Sequence, residues 1–350
     1  MSILHERPGA YSAYDTSSVV SGRAAVRAVG VAAKAAKGEA DKPVTVTGYA
    51  AGTAVFGEGE GMSVILRLLF AGGASSVTAV RVGGEGAAED YARAFAALGK
   101  EDVGILVCDS GEEAVQQALR AAVEEASSLR HERIAVVGCA GADVQALTAR
   151  AAALNSERVV LVGPDALDEG GEPLSGVFAA AAVAALAASG GDPAVPLNGG
   201  ELKGLGGLAA DYSDADIDTL VRGGVTPLEC VGGVTSPVRG ITTRTKTGGA
   251  PDATWRELTT IMIVDDVIPA VRAALRSRFS RSKNTARSRA AIRSQVIVEL
   301  EKKLAAEIIS GYDGVTVSAS AEDPTVCLVD FGFSVAHGLN QVRLTVHIEI

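Results

Sequence analysis

Three short apolar runs spaced by helical stretches constrain this chain more than any other feature. They are VGILVCD (103–109), RIAVVGCA (133–140) and RVVLVGP (158–164), and they alternate with EEAVQQALRAAVEEASSL, DVQALTARAAAL and GVFAAAAVAALAAS. Strands apolar on both faces need helices over both faces, so residues 101–190 predict a middle α/β unit with a mostly parallel sheet. The preceding stretch, 25–100, reads in the order strand, helix, strand: AAVRAVGVAAKA and TVTGYAAGTAVFGEGEG, then the helix-like MSVILRLLFAGGA and the strand-like SVTAVRVGG. It forms a first core unit of the same α/β domain, 25–235. Residues 191–235 are rich in Gly, Pro and Asp and predict long surface connections.

The ends differ from this pattern. Pro8-Gly9 and Asp15-Thr16-Ser17-Ser18 interrupt any period in residues 1–24, while Val19 and Val20 stay apolar, so this segment reads as an extended arm that needs a partner surface. From 236 to 350 a C-terminal α+β domain is expected. SPVRGITTRTKTG and RELTTIMIVDD read as strands, and Asp265 or Asp266 would cap a helix with Pro269 in its first turn. A longer helix, about Thr285 to Ser310, carries Ile292, Val296, Leu300, Leu304 and Ile308 on one stripe, and Gly311 would stop it. Three strand-like runs follow: VTVSAS, TVCLVDFGFSV and QVRLTVHIEI.

Composition narrows the function classes. The 350 residues are 47% hydrophobic but only 4% aromatic, so the core is packed from small and aliphatic side chains. Cys108, Cys139, Cys230 and Cys327 lie far apart, without a CxxC pair, and read as small buried hydrophobes made in a reducing cytosol. Neither a basic segment leading into an apolar core at the N-terminus nor eighteen consecutive apolar residues occur, so the expectation is no membrane insertion and exit from a cell by lysis. A net charge of -10 disfavours generic nucleic-acid binding.

Several of these stretches, in this order, resemble the contractile phage tail sheath family. Arg7-Pro8-Gly9-Ala10-Tyr11 is similar to the family's Pro-Gly-x-Tyr opening, and Phe56-Gly57 followed by LRLLFAGGASSVTAVRV is similar to its first core unit. VRGITTRTKTG, LTTIMIVDDVIPAVRAALRSRF, Asn284 before a long helix, and NQVRLTVHIEI carry the C-terminal likeness. The resemblance implies a structural subunit without catalytic, cofactor or metal sites. It would stack with itself as hexameric rings around an inner tail tube protein, linked by arms into a metastable mesh. Triggered at the baseplate, the mesh would shorten and drive the tube through an envelope. Implied partners also include a tail terminator, and the implied location is a virion or tail-like particle.

Two constellations bear on that implication. Val342, Leu344, Val346, Ile348 and Ile350 alternate with Gln341, Arg343, Thr345, His347 and Glu349 as a half-buried strand. It is either the last strand of its own sheet or one donated to a neighbour, since an unprotected terminal strand templates chain addition; the resemblance favours donation. Between Asp266 and Glu299 no acidic residue occurs, yet Arg272, Arg276, Arg278, Arg281, Lys283, Arg287, Arg289 and Arg293 all lie there. This is a solvated helix face, a DNA-binding patch, or a tube-facing surface whose planar guanidinium forks pair with carboxylates.

The competing reading is a nucleotide-binding α/β enzyme. Its strands end in Asp109-Ser110-Gly111, Cys139-Ala140-Gly141 and Gly163-Pro164-Asp165, the edge where such sheets place ligands. Neither GxGxxG at a strand-to-helix turn nor GxxxxGK[ST] occurs, and Glu58 and Glu60 in GEGEG would repel a phosphate. His5, His131, His337 and His347 lack ligand spacing for zinc.

Overall fold

The computed structural model describes residues 28–59, 61–141 and 143–340. The arm and the alternating run 341–350 therefore lie outside the described residues. The chain divides into two compact units, one spanning 28–191 and 196–258, the other 192–195 and 259–338.

The larger unit begins with β1 (Val29–Ala33), β2 (Pro43–Val46), α1 (Tyr49–Phe56), α2 (Gly61–Ala71), β3 (Val77–Arg81) and α3 (Ala88–Leu98). It continues with β4 (Ile105–Cys108), α4 (Glu113–Ser128), β5 (Ile134–Gly138), α5 (Val144–Leu154) and β6 (Val159–Gly163). Next come β7 (Ala166–Asp168), β8 (Pro173–Leu174), α6 (Gly176–Ser189), β9 (Leu205–Leu208), α7 (Asp214–Arg222), β10 (Val225–Val231) and β11 (Val234–Pro237). A small hairpin, β12 (Lys246–Thr247) with β13 (Ala250–Pro251), ends the series.

The first core unit and the middle unit share one eight-stranded sheet, ordered β11-β10-β6-β5-β4-β1-β3-β2. All neighbours from β10 to β3 pair in parallel, with Val31 opposite both Ala79 and Val107, whereas β11 and β2 close the two edges antiparallel. Strands β1, β4, β5 and β6 are buried at every residue, as a sheet covered on both faces requires. On one face Tyr91, Phe95, Leu98, Leu119, Val123, Leu147 and Leu154 from α3, α4 and α5 build the core. Helix α6 is apolar all round, and eleven of its residues are buried, because it lies across β4, β5 and β6 beneath α2. Alanine and glycine permit that approach: a Cβ on Gly138 would sit 2.0 Å from the Gly176 carbonyl oxygen, and one on Gly72 2.4 Å from the Ala185 Cβ.

Residues 191–235 are not mere connections. They supply α7, closed by a capping box between Ser213 and Asp216, and β10, which joins the sheet beside β6. Gly and Pro punctuation hid a nine-residue helix and a strand that carries Pro227 inside it. Nor is SPVRGITTRTKTG one strand. It leaves β11 at Pro237, touches Glu257 through a single bridge at Ile241, and re-enters pairing only in β12.

The second unit holds α8 (Leu258–Phe279), α9 (Ala286–Ala305), β14 (Ile309–Ala319) and β15 (Cys327–Val335). Its longer stretch runs from Thr259 to Gly338. LTTIMIVDD is helix, not strand: every residue from Leu258 to Val264 is buried, which leaves no exposed face to mark a helical period and a β-branched, apolar run that reads as a strand. Asp265 and Asp266 are accordingly mid-helix, and Pro269 lies in the helix interior rather than its first turn. Helix α9 is shorter than its apolar stripe predicts. Glu307 takes a left-handed φ of 56°, Ile308 packs beyond the helix end, and Gly311 falls in β14 instead of stopping α9. Ile263, Val267 and Val271 from α8, Val296 and Leu300 from α9, and Ile309, Val315, Phe333 and Val335 from the sheet form one core. At its margin Lys303 Nζ meets the fully buried Asp266 at 2.6 Å.

Candidate assembly surfaces

The basic segment occupies the last turns of α8, the connection 280–285 and the first half of α9. Arg276 and Arg278 in the last turn of α8 complement the negative end of that helix. The start of α9 does the reverse. Its first turn has no acidic residue and its cap is the neutral Thr285, whose hydroxyl accepts from Ser288 N, so Arg287 and Arg289 sit against the positive helix end. Placement that opposes the helix dipole is not selected for the helix's own stability.

Beyond Arg272, the structure sorts the other seven cations of the segment into two groups. Arg278 donates to the Gln295 amide oxygen, Arg289 to Asn284 Oδ1 at 2.9 Å, and Arg293 Nε to the Val315 carbonyl of β14 at 2.8 Å. These three brace their own unit. Arg276, Arg281, Lys283 and Arg287 are exposed and, among the described residues, meet no carboxylate at ion-pair distance. Charge reading of the sequence could not separate the groups, because the acceptors are a carbonyl and two amides, all uncharged.

Beside this face lies a sheet of only two strands among the described residues, β14 and β15, paired antiparallel from Ile309↔Val335 to Ala319↔Cys327. Two-stranded sheets are marginal alone, and an open edge offers unpaired N–H and C=O groups. Val326 and Leu328, at the start of β15, are exposed by 41% and 52%. The predicted inter-subunit residues Val342, Leu344, Val346, Ile348 and Ile350, and the arm residues Pro8, Gly9, Tyr11, Val19 and Val20, fall outside the described residues.

The sheet edge of the competing enzyme reading is filled by the chain itself. Asp109 accepts from Tyr91 Oη at 2.5 Å and from Lys34 N at 2.9 Å, and burial raises its carboxyl above the usual range. Asp165 accepts from the N–H groups of Gly176 at 2.5 Å and Gly141 at 2.8 Å, seating the start of α6 against the ends of β5 and β6. Asp165 thus occupies the N-terminus of α6, where such a sheet would place a ligand. Burial pushes the Cys108 thiol up to about 12, and all four cysteines are free. Among the described residues no cluster of His, Cys, Asp or Glu is arranged to hold a metal ion, and no helix is long and apolar enough to cross a membrane.

The VRGITTRTKTG stretch, prominent in the sequence, is a polar lock. Thr226 and Ile241 exchange hydrogen bonds through the Thr226 hydroxyl, Thr242 Oγ1 donates to the Trp255 carbonyl at 2.6 Å, and Thr243 Oγ1 bonds the Ser156 backbone. Buried, irregular backbone needs such hydroxyls, which accounts for the threonines.

The family model for the phage tail sheath protein central domain matches residues 84–243, and that for the phage tail sheath C-terminal domain matches residues 250–349. The chain belongs to the phage tail sheath family. A tail sheath protein of Bacillus phage SP01 is 28% identical over 251 residues, 69% of this chain. The chain spans 43% of that relative's length. Among solved structures, the helical sheath of the anti-feeding prophage in its contracted state aligns with a TM-score of 0.73 at 14% identity, covering 99% of this chain and 100% of that one. A sheath tail protein from Desulfitobacterium hafniense aligns with a TM-score of 0.71 at 13% identity, covering 93% and 100%. The multidomain α/β fold with a mostly parallel sheet is that of tail sheath proteins, and nothing in the comparisons supports the nucleotide-binding enzyme.

Proposed function

We propose that this sheath protein is a non-catalytic structural subunit of a contractile tail sheath. It polymerises as stacked hexameric rings around an inner tube and contracts to drive the tube through a target envelope. Its partners are further copies of itself, the tube protein, a baseplate and a tail terminator, without nucleic acid or insertion into a membrane. Assembly takes place in the bacterial cytoplasm and the particle leaves by lysis. The observation that carries the reading is the pairing, on one small unit, of a sheet with only two strands among the described residues and a face of four exposed cations that meet no carboxylate there. The sheet edge suits a strand from a neighbouring copy, and the run Gln341–Ile350 has the alternation for it. The cations suit an acidic tube wall.

The work of contraction is held as a difference between two packings of the same subunits, so no nucleotide is required. Microscopy of the purified chain, with and without its tube protein, tests the reading. Striated tubes are expected, and monodisperse globules under all conditions would overturn it. Replacing Arg281, Lys283 and Arg287 together by Glu should not lower the melting temperature while reducing tube-bound extended sheath at low salt by about tenfold or more, as loss of steering predicts. Undiminished assembly of that variant would remove the tube-facing assignment.

A further inference from the structure

One side chain ties the basic segment to the tip of the open sheet. Asn284, in the connection between α8 and α9, donates from Nδ2 to the carbonyls of Pro324 at 2.8 Å and Val326 at 3.2 Å. Its Oδ1 accepts from Arg289 at 2.9 Å. The Val326 carbonyl also takes the Ser320 N–H, which closes the loop between β14 and β15. Arg289 in turn lies near Cys327, the first residue of β15, where its charge draws the thiol down against the larger upward push of burial. Three elements therefore meet at Asn284: the α8 to α9 connection, the first turns of α9 and the start of β15.

The neighbours of this knot are the groups with no internal partner. Arg281, Lys283 and Arg287 flank Asn284 in sequence, and exposed Val326 and Leu328 mark the strand it holds. A connection that only joined two helices would gain little from gripping a hairpin some forty residues away. A connection that must present cations at a fixed angle to a strand edge gains pre-organisation, because side chains and loop are ordered before the partner arrives.

We propose that Asn284 is a positioning residue that fixes the basic segment relative to the β14 and β15 sheet, so that contact with an acidic partner and strand pairing between copies are made by one rigid body. The inference rests on the sheath function proposed above. It assigns Asn284 no contact with either partner.

The test uses full-length chain and purified tube protein. Asn284→Ala removes all three hydrogen bonds, whereas Asn284→Asp keeps the acceptor for Arg289 and loses the donor to the hairpin. Both variants should melt as the parent does and form tube-free polymers at the parental yield, yet give about tenfold less extended sheath on the tube, the scale expected when pre-organisation is lost. Thr325→Ala, which alters the same loop but leaves Asn284 in place, should behave as the parent. Parental yield of tube-bound sheath from Asn284→Ala, or equal losses with and without tube, would overturn the proposal. A parent chain that neither polymerises nor engages the tube would overturn the sheath function as well, which is a separate and recognisable result.

Discussion

The two units of this chain solve the same problem in opposite ways. In the larger unit every interior strand of the eight-stranded sheet has two neighbours, and both edges of that sheet end in short antiparallel strands. The buried Arg133 donates to the carbonyls of Leu98 and Glu101. In the smaller unit a two-stranded sheet has no third strand among the described residues, and four of its cations face outward without partners. One unit closes the edges of its large sheet with its own strands, and the other is the one we propose a neighbouring copy finishes. The division teaches where a polymerising subunit can carry its interfaces without losing its fold.

The strongest way to break this contrast is to remove the segment proposed to finish the smaller unit in a neighbour. Deleting Gln341 to Ile350 takes away five aliphatic side chains, each worth roughly 1.5 to 3 kcal/mol when buried. If that burial occurs between copies, the truncated chain melts cooperatively but yields no tubes in sedimentation and microscopy. An unfolded or aggregated product would instead place the strand inside its own subunit, since a loss of that size rivals a domain's net stability of about 5 to 15 kcal/mol.

A smaller effect probes how the open unit holds itself together. Lys303→Met strips the buried Asp266 carboxylate of its ammonium, and breaking such a pair costs about 3 to 5 kcal/mol. Hydrogen exchange should report faster opening in α8 and α9 with little change in β4 to β6; unchanged protection in α8 would show that the pair adds no stability. The smallest effect probes packing in the closed unit. Gly138→Ala forces the end of β5 away from the start of α6 and should destabilise by about 2 kcal/mol, whereas Gly311→Ala, where a Cβ meets nothing within 4 Å, should be neutral. Equal melting shifts for the two would erase the difference in packing between the units.

Legibility in the sequence follows the same divide. Strands β4, β5 and β6 were readable because burial on both faces writes them as unbroken β-branched runs ended by Gly, Pro or Asp. The start of α8 was misread for the same reason, since a helix buried all round writes the same kind of run. Helix α7 and β10 were missed because local Gly, Pro and Asp signals outweighed a partner strand more than sixty residues away. The basic face was visible as a one-sign segment, but its division into bracing and free side chains depends on uncharged acceptors, Asn284, Gln295 and the Val315 carbonyl, the last two 17 and 22 residues from their arginines. The Asn284 grip joins residues forty positions apart and has no periodic signature.

Helix α6 has a mechanical consequence. Its alanines let backbone lie on backbone, with glycines at the points of closest approach, and interiors packed this tightly are nearly incompressible. A subunit that transmits a stroke along a polymer wastes work wherever it yields. With a block of that stiffness at the centre of the larger unit, strain carried by the proposed sheath would pass through it undiminished.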